Sequence, residues 1–190
     1  EDHARPEAKN AMQELKDIGI KALTMLTGDK WSVARKVAAE LGCTDVVGEC
    51  LPENKLQLVE DMKKKGYKVA VIGDGVNDAP ALAAGDLGIA MGAAGNDIAV
   101  NSASVALLNN DLRKLPFLIK LSRKVRKIVY QNLLFGILFI IAGVFLSAFG
   151  KLTPIQAAIL HCLGSFPVIF NSARIVRQGE DMATNQNGES

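Results

Sequence analysis

From Tyr130 to Gly150 the chain carries no charged residue, and from Thr153 to Ala173 it again carries none. Each run reaches the roughly 20 residues that a helix needs to cross a bilayer. In hydrocarbon only helices and closed barrels satisfy their own backbone hydrogen bonds, so two such runs constrain this end of the chain to two helices. The core helix of a large soluble protein is the other structure that a charge-free run suits. Only Lys151 and a turn containing Pro154 separate the two runs, which predicts a transmembrane hairpin with spans at about 130–150 and 153–173. Lys120, Arg123, Lys124, Arg126 and Lys127 precede the first span, and Arg174 and Arg177 follow the second. By the positive-inside rule both ends belong in the cytosol and the Gly150–Pro154 turn outside.

The formal net charge of +2 follows largely from that juxtamembrane cluster, where basic side chains can pair with anionic headgroups. No aromatic residue interleaves with it, which argues against a nucleic-acid partner. Cys43, Cys50 and Cys162 show no paired spacing, and the first two fall in the part assigned to the reducing cytosol, so free thiols are expected. The polar segment 178–190 predicts a disordered tail.

Before the hairpin, apolar runs at Ala22–Leu26, Val46–Val47, Lys68–Ile72, Leu87–Ala90 and Ser104–Leu107 alternate with helical patterns. That alternation predicts an α/β domain with a parallel sheet, occupying residues 1–112. The run Lys68–Ile72 reads as a strand buried on both faces. It ends in Gly73-Asp74-Gly75-Val76-Asn77-Asp78-Ala79-Pro80, at the strand end where open α/β sheets place their ligands. Asp74 and Asp78, with Asn77 between them, offer hard oxygen ligands for Mg²⁺, which is commonly held by one or two carboxylates plus phosphate oxygens. A solvated Asp/Asn/Gly turn is the plainer alternative.

A second turn, Thr27-Gly28-Asp29, links the strand ending at Leu26 to a helix from Trp31 to Leu41. A hydroxyl and free amides at a helix N-terminus suit a phosphoryl group, although the same three residues also suit a plain helix cap. Lys55 follows Pro52 in the first turn of a helix running to about Lys65, where its charge opposes the helix dipole. A partner such as a phosphate or a carboxylate accounts for a lysine there better than solvent does.

Taken together, Leu26-Thr27-Gly28-Asp29, Pro52-x-x-Lys55, Gly73–Leu82 and Gly88-Ile89-Ala90-Met91-Gly92 resemble the second half of the phosphorylation domain of P-type ATPases, a haloacid-dehalogenase-like fold. Asp2-His3-Ala4-Arg5-Pro6 is similar to the hinge by which that family returns from its nucleotide domain. The resemblance runs from about Asp2 to Arg177. It implies an ATP-driven ion pump working through an aspartyl phosphate, with Mg²⁺ and ATP as cofactors. Residue by residue, it gives Thr27, Gly28, Asp29, Lys55 and Asn77 catalytic roles, makes Asp74 and Asp78 the magnesium ligands, and places Arg5, Asp74 and Gly75 at the cofactors. The nucleophilic Asp-Lys-Thr-Gly-Thr string does not occur here, so an upstream part of the same pump is the expected partner and the chain alone is expected to be inactive.

Ending on two apolar spans resembles the heavy-metal subgroup of those pumps, as does the segment Leu160-His161-Cys162-Leu163-Gly164-Ser165 with Asn171-Ser172-Ala173-Arg174. On a helix, His161, Gly164, Ser165, Asn171 and Ser172 fall within an arc of about 120°, with Cys162 at its edge. Polar groups in hydrocarbon often mark an ion path, and His161, Cys162 and Ser165 are the candidate ligands for a cation of the Zn, Cd, Co or Cu class. Cys162 stands where zinc- and cobalt-type relatives carry an acidic residue, which leaves the ion open. Packing between helices is the competing role for all three. A membrane-anchored haloacid-dehalogenase-like phosphatase and a non-catalytic truncated product are the rival functions.

Overall fold

The computed structural model describes residues 6–74, 77–92 and 97–187. It divides into two compact units, one ending at Lys114 and the other beginning at Leu115, two residues beyond the boundary expected from the sequence.

The first unit alternates helix and strand throughout: α1 (Pro6–Asp17), β1 (Thr24–Leu26), α2 (Trp31–Leu41), β2 (Asp45–Val47), α3 (Pro52–Lys64), β3 (Ala70–Gly73), α4 (Ala79–Ala84), β4 (Leu87–Ala90), α5 (Asp97–Ser102) and β5 (Val105–Ala106). Helix α1 buries Ala11 and Leu15, four residues apart on one face. Helix α2 stops at Gly42, whose left-handed backbone (φ 69°) lets its N–H reach the carbonyls of Ala38 and Ala39. Helix α3 starts on Pro52, whose fixed φ and missing N–H suit a first turn. The core gathers Leu82 from α4 with Ile89 and Ala90 from β4, and Ala103 and Ala106 pack against Ala90.

Among the described residues all strand pairs are parallel, but they form two sheets rather than one: β1 pairs with β2, and separately β3–β4–β5 lie in that order. The expected burial of the β3 run on both faces is therefore corrected. Among the described residues strand β3 is bonded to β4 alone, Ala70 is exposed, and Ile72 keeps 41% of its surface. An apolar run signals a strand that needs covering, and cover depends on neighbours that the run does not name.

The second unit is two helices, α6 (Lys114–Ala148) and α7 (Pro154–Asn187). Helix α6 and the Pro154–Val176 part of α7 are each long and apolar enough to cross a membrane. On α7 the shielded positions are Ala157, Leu160, Gly164, Val168, Asn171 and Ile175, with Ser172 beside Asn171. On α6, from Ile128 onward, they are Ile128, Asn132, Gly136, Phe139 and Gly143. Steps of three and four residues make one narrow seam along each helix, as in a coiled coil. At its middle a Cβ on Gly164 would collide with the ring of Phe139, the close approach that small residues allow between membrane helices.

Beyond Val176 the backbone stays helical to Asn187, where polar composition predicts a disordered tail from residue 178. Ala, Met, Gln and Glu in that stretch are good helix formers, and extending an existing helix avoids the nucleation step that makes short helices marginal.

Candidate functional site

At the end of β1 the hydroxyl of Thr27 donates to the Asp29 carboxylate (2.8 Å) and accepts from the Asp29 N–H (3.2 Å). The turn is thus closed by its own side chains. Asp29 does not cap α2: the cap position is Lys30, which makes no side-chain capping bond. Gly28 lies between them, and a Cβ added to it would stand 4.0 Å from the Cys50 carbonyl oxygen, so the turn runs close under the next crossover.

That crossover returns through Gly48, Glu49 and Cys50. Glu49 is the one non-glycine among the described residues with a positive φ (52°), and its N–H donates to the Asp29 carbonyl (2.8 Å). The Cys50 N–H then donates to the Thr27 carbonyl (2.9 Å). A side chain held in the left-handed region stores strain, which persists only where surrounding bonds over-determine it. Here those bonds tie the Thr27 turn to the start of α3, and so to Lys55. Sequence reading missed Glu49, because glutamate carries no turn preference that would flag it.

From the first turn of α3, Lys55 Nζ reaches Asp78 Oδ1 at 2.6 Å, and both side chains are largely shielded. The pair answers the dipole problem at Lys55, since a carboxylate stands where the helix alone would repel the ammonium. Asp78 occupies the cap position of α4 without making a capping bond, its carboxylate being turned to Lys55 instead. The Asp78 side chain also lies over Gly73: a Cβ there would collide with it. Glycine is required at this strand end for contact between the chain and a carboxylate.

Asp74 and Asn77 are exposed on the same loop. Arg5 and Gly75, both expected at the cofactors, lie outside the described residues. The residues present fit Mg²⁺ as it is usually bound, because Asp74 adjoins Gly73 and the Asp78 carboxylate covers Gly73, so two carboxylates meet at one strand end with phosphate left to complete the shell. Among the described residues no three His, Cys, Asp or Glu side chains form a metal cluster. An ion here therefore depends on phosphate oxygens as well as on the chain.

Cys50 is buried beside this pair. Burial raises its thiol pKa, the Lys55 charge opposes that rise, and Asp78 reinforces it. The thiol stays protonated at neutral pH and does not supply a nucleophile. Asp29 and Asp78 are already engaged with Thr27 and Lys55. The arrangement has the donors and the charge to hold a phosphoryl group.

In the second unit His161, Cys162 and Ser165 are all exposed and lie off the seam. The Ser165 hydroxyl donates to the His161 carbonyl (3.4 Å). Of the polar arc expected on α7, Gly164, Asn171 and Ser172 face α6, and the candidate ligands do not.

Residues 1–86 match the haloacid dehalogenase-like hydrolase family. Over 176 residues the chain is 45% identical to a manganese-exporting P-type ATPase of Mycobacterium leprae, a match covering 93% of this chain and 24% of that protein. A probable cadmium-transporting ATPase of Staphylococcus aureus is also 45% identical, over 177 residues, with the same two coverages. Among solved structures, a zinc-transporting PIB-type ATPase in its E2.Pi state matches with a TM-score of 0.84 at 32% identity, covering 92% of this chain and 28% of the other. The chain thus spans about a quarter of the length of these relatives.

Proposed function

We propose that this chain, which is homologous to heavy-metal-transporting P-type ATPases over nearly its whole length, forms the phosphoryl-binding half of the phosphorylation domain and two membrane spans of such a pump. The observation that carries the reading is the convergence of the Thr27–Asp29 turn, the Lys55–Asp78 pair and Asp74 at strand ends. Thr27 and Lys55 hold the phosphoryl oxygens; Asp29 fixes the Thr27 hydroxyl; Asp78 fixes the Lys55 ammonium; Asn77 would help complete the Mg²⁺ shell. Asp74 and Asp78 would hold Mg²⁺, whose charge would offset that of the phosphate oxygens. ATP is the phosphoryl donor, and chemistry of this kind needs positioning and charge stabilisation more than it needs covalent machinery.

The nucleophilic aspartate belongs to a segment outside this sequence. Among the described residues β3 is bonded to β4 along one edge, and its other edge is where a further strand would bring that aspartate in. In the pump, Asp74→Asn lowers phosphoenzyme formation by orders of magnitude with folding preserved; normal phosphorylation in that variant ends the assignment. The chain by itself, given Mg²⁺ and ATP, forms no hydroxylamine-labile phosphate.

For the second unit we infer a transmembrane hairpin with both ends cytosolic. Cysteine labelling is then restricted to the outside at position 151 and to the inside at position 124. His161, Cys162 and Ser165 face away from α6, toward where other helices of a pump would stand, and an imidazole with a thiol suits a borderline or soft cation. His161→Ala keeps phosphorylation by inorganic phosphate while metal-stimulated turnover falls at least tenfold, about 1.4 kcal/mol of ion binding. Cys162→Ser follows it only if the thiolate is a ligand. Full turnover in the His161 variant at limiting metal places the ion elsewhere.

A further inference from the structure

Among the described side chains, the seam between α6 and α7 is apolar except at one level. There, Asn132 Nδ2 donates to Ser172 Oγ (2.9 Å), and Asn171 Nδ2 donates to Asn132 Oδ1 (2.8 Å). Asn171 Nδ2 is also 3.3 Å from Gln131 Oε1, and Arg174 Nη1 donates to Asn171 Oδ1 (3.3 Å). Both ends of the Asn132 amide are therefore used, by two successive residues of the opposite helix.

We propose that Asn132 is the register lock of the two-helix unit, acting through Asn171 and Ser172. The rest of the seam, Ile128, Gly136 and Gly143 against Ala157, Leu160, Val168 and Ile175, offers only apolar contacts, which have similar value in alignments one turn apart. Phe139 against Gly164 favours one alignment by shape, but an aromatic ring can repack. Hydrogen bonds cannot be remade in the same way. A slip by one turn, about 5.4 Å, moves Asn171 and Ser172 out of reach and leaves the partly buried Asn132 amide without its partners on the opposite helix. A single polar residue at a seam position fixing register is the best-attested use of such groups. The charge of Arg174 beside Asn171 argues against reading the same oxygens as a cation site.

The lock concerns the helix pair itself and stands whether or not the pump reading holds. It is tested on the whole chain in lipid nanodiscs, with Cys43, Cys50 and Cys162 replaced by Ala and spin labels placed at positions 124 and 176. Pulsed electron spin resonance is expected to give one narrow distance for the parent chain. Asn132→Leu and Asn171→Leu are each expected to add a second population displaced by several ångströms, or to broaden the distribution at least twofold, with helical circular dichroism unchanged. Ser172→Ala, which removes one bond, is expected to broaden it less. Should Asn132→Leu fail to fold, Asn132→Ser shortens the side chain beyond reach of one partner and is expected to broaden the distance to an intermediate extent. One unbroadened distance in the Asn171→Leu and Asn132→Ser chains overturns the proposal.

Discussion

The two units meet the same demand, removing apolar side chains from water, in opposite ways. In the first, residues from helices and strands converge, so that Leu82, Ile89 and Ala90 are almost wholly enclosed. In the second, two long helices share one seam, and side chains such as Leu134, Ile140, Phe145, Phe166 and Phe170 remain mostly exposed. A closed core needs elements arriving from several directions, whereas a helix pair shields one stripe of each member. The difference teaches that the second unit is built for a surrounding that is itself apolar, lipid or other helices, while the first carries its own.

The sharpest way to break that contrast is to remove core volume on one side only. Leu82→Ala is expected to destabilise the first unit by about 2–5 kcal/mol through lost burial and a residual cavity. Denaturant titration followed by Trp31 fluorescence reads this, with the helical signal of α6 and α7 in detergent unaffected. The converse change adds volume at the seam. Gly164→Leu forces a side chain into Phe139 and is expected to loosen the helix pair by about 1–3 kcal/mol, seen as a lower melting temperature of the second unit alone.

Gly73→Ala tests the strand end instead of a core. Its Cβ meets Asp78, so the Lys55–Asp78 distance grows and phosphoryl binding falls, with a loss of stability near the low end of about 1–3 kcal/mol. A crystal structure of the variant with the ion pair intact would show that the strand end yields more readily than its packing implies.

The smallest expected effect lies at Asp86. Its carboxylate accepts from the Val69 N–H and from Lys68 Nζ, and these bonds, the backbone one foremost, hold its pKa below the ordinary 3.8. A carboxylate whose pKa is depressed in the folded state contributes stability above its unfolded pKa and loses that contribution as pH falls through its folded pKa. Asp86→Asn is therefore expected to lower stability slightly at pH 7 and to converge with the parent chain as pH falls through the depressed pKa of the Asp86 carboxylate. A difference of equal size at both pH values would assign the effect to shape and not to ionisation.

Much of the fold was legible from local pattern. Helix α2 appeared at its expected bounds because Gly42 stops it, and β4 did so because its apolar run is short and flanked by glycines. The strand at Lys68–Ile72 was shifted to Ala70–Gly73, since the Val69 N–H is taken by the Asp86 carboxylate and its carbonyl, shared by the Asp86 and Leu87 N–H groups, is where pairing with β4 begins. Lys55 was readable as a lysine in want of a partner. That the partner is Asp78, and not Asp74, was not, because the choice depends on how the loop folds back over Gly73.

Sequence by itself determined the alternation of helix and strand, the two membrane-length helices, and the presence of two acidic residues and a threonine turn at strand ends. These follow from periodicity, charge-free length and turn chemistry, which act over a few residues. Only the tertiary structure decided that the strands form two sheets, that Glu49 adopts a left-handed conformation to bring α3 under Thr27, and that the seam of α7 takes Asn171 and Ser172 while leaving His161 and Cys162 outside. Each of these depends on which distant segment arrives as a neighbour. Packing sets that arrangement, and no single stretch of the chain encodes it.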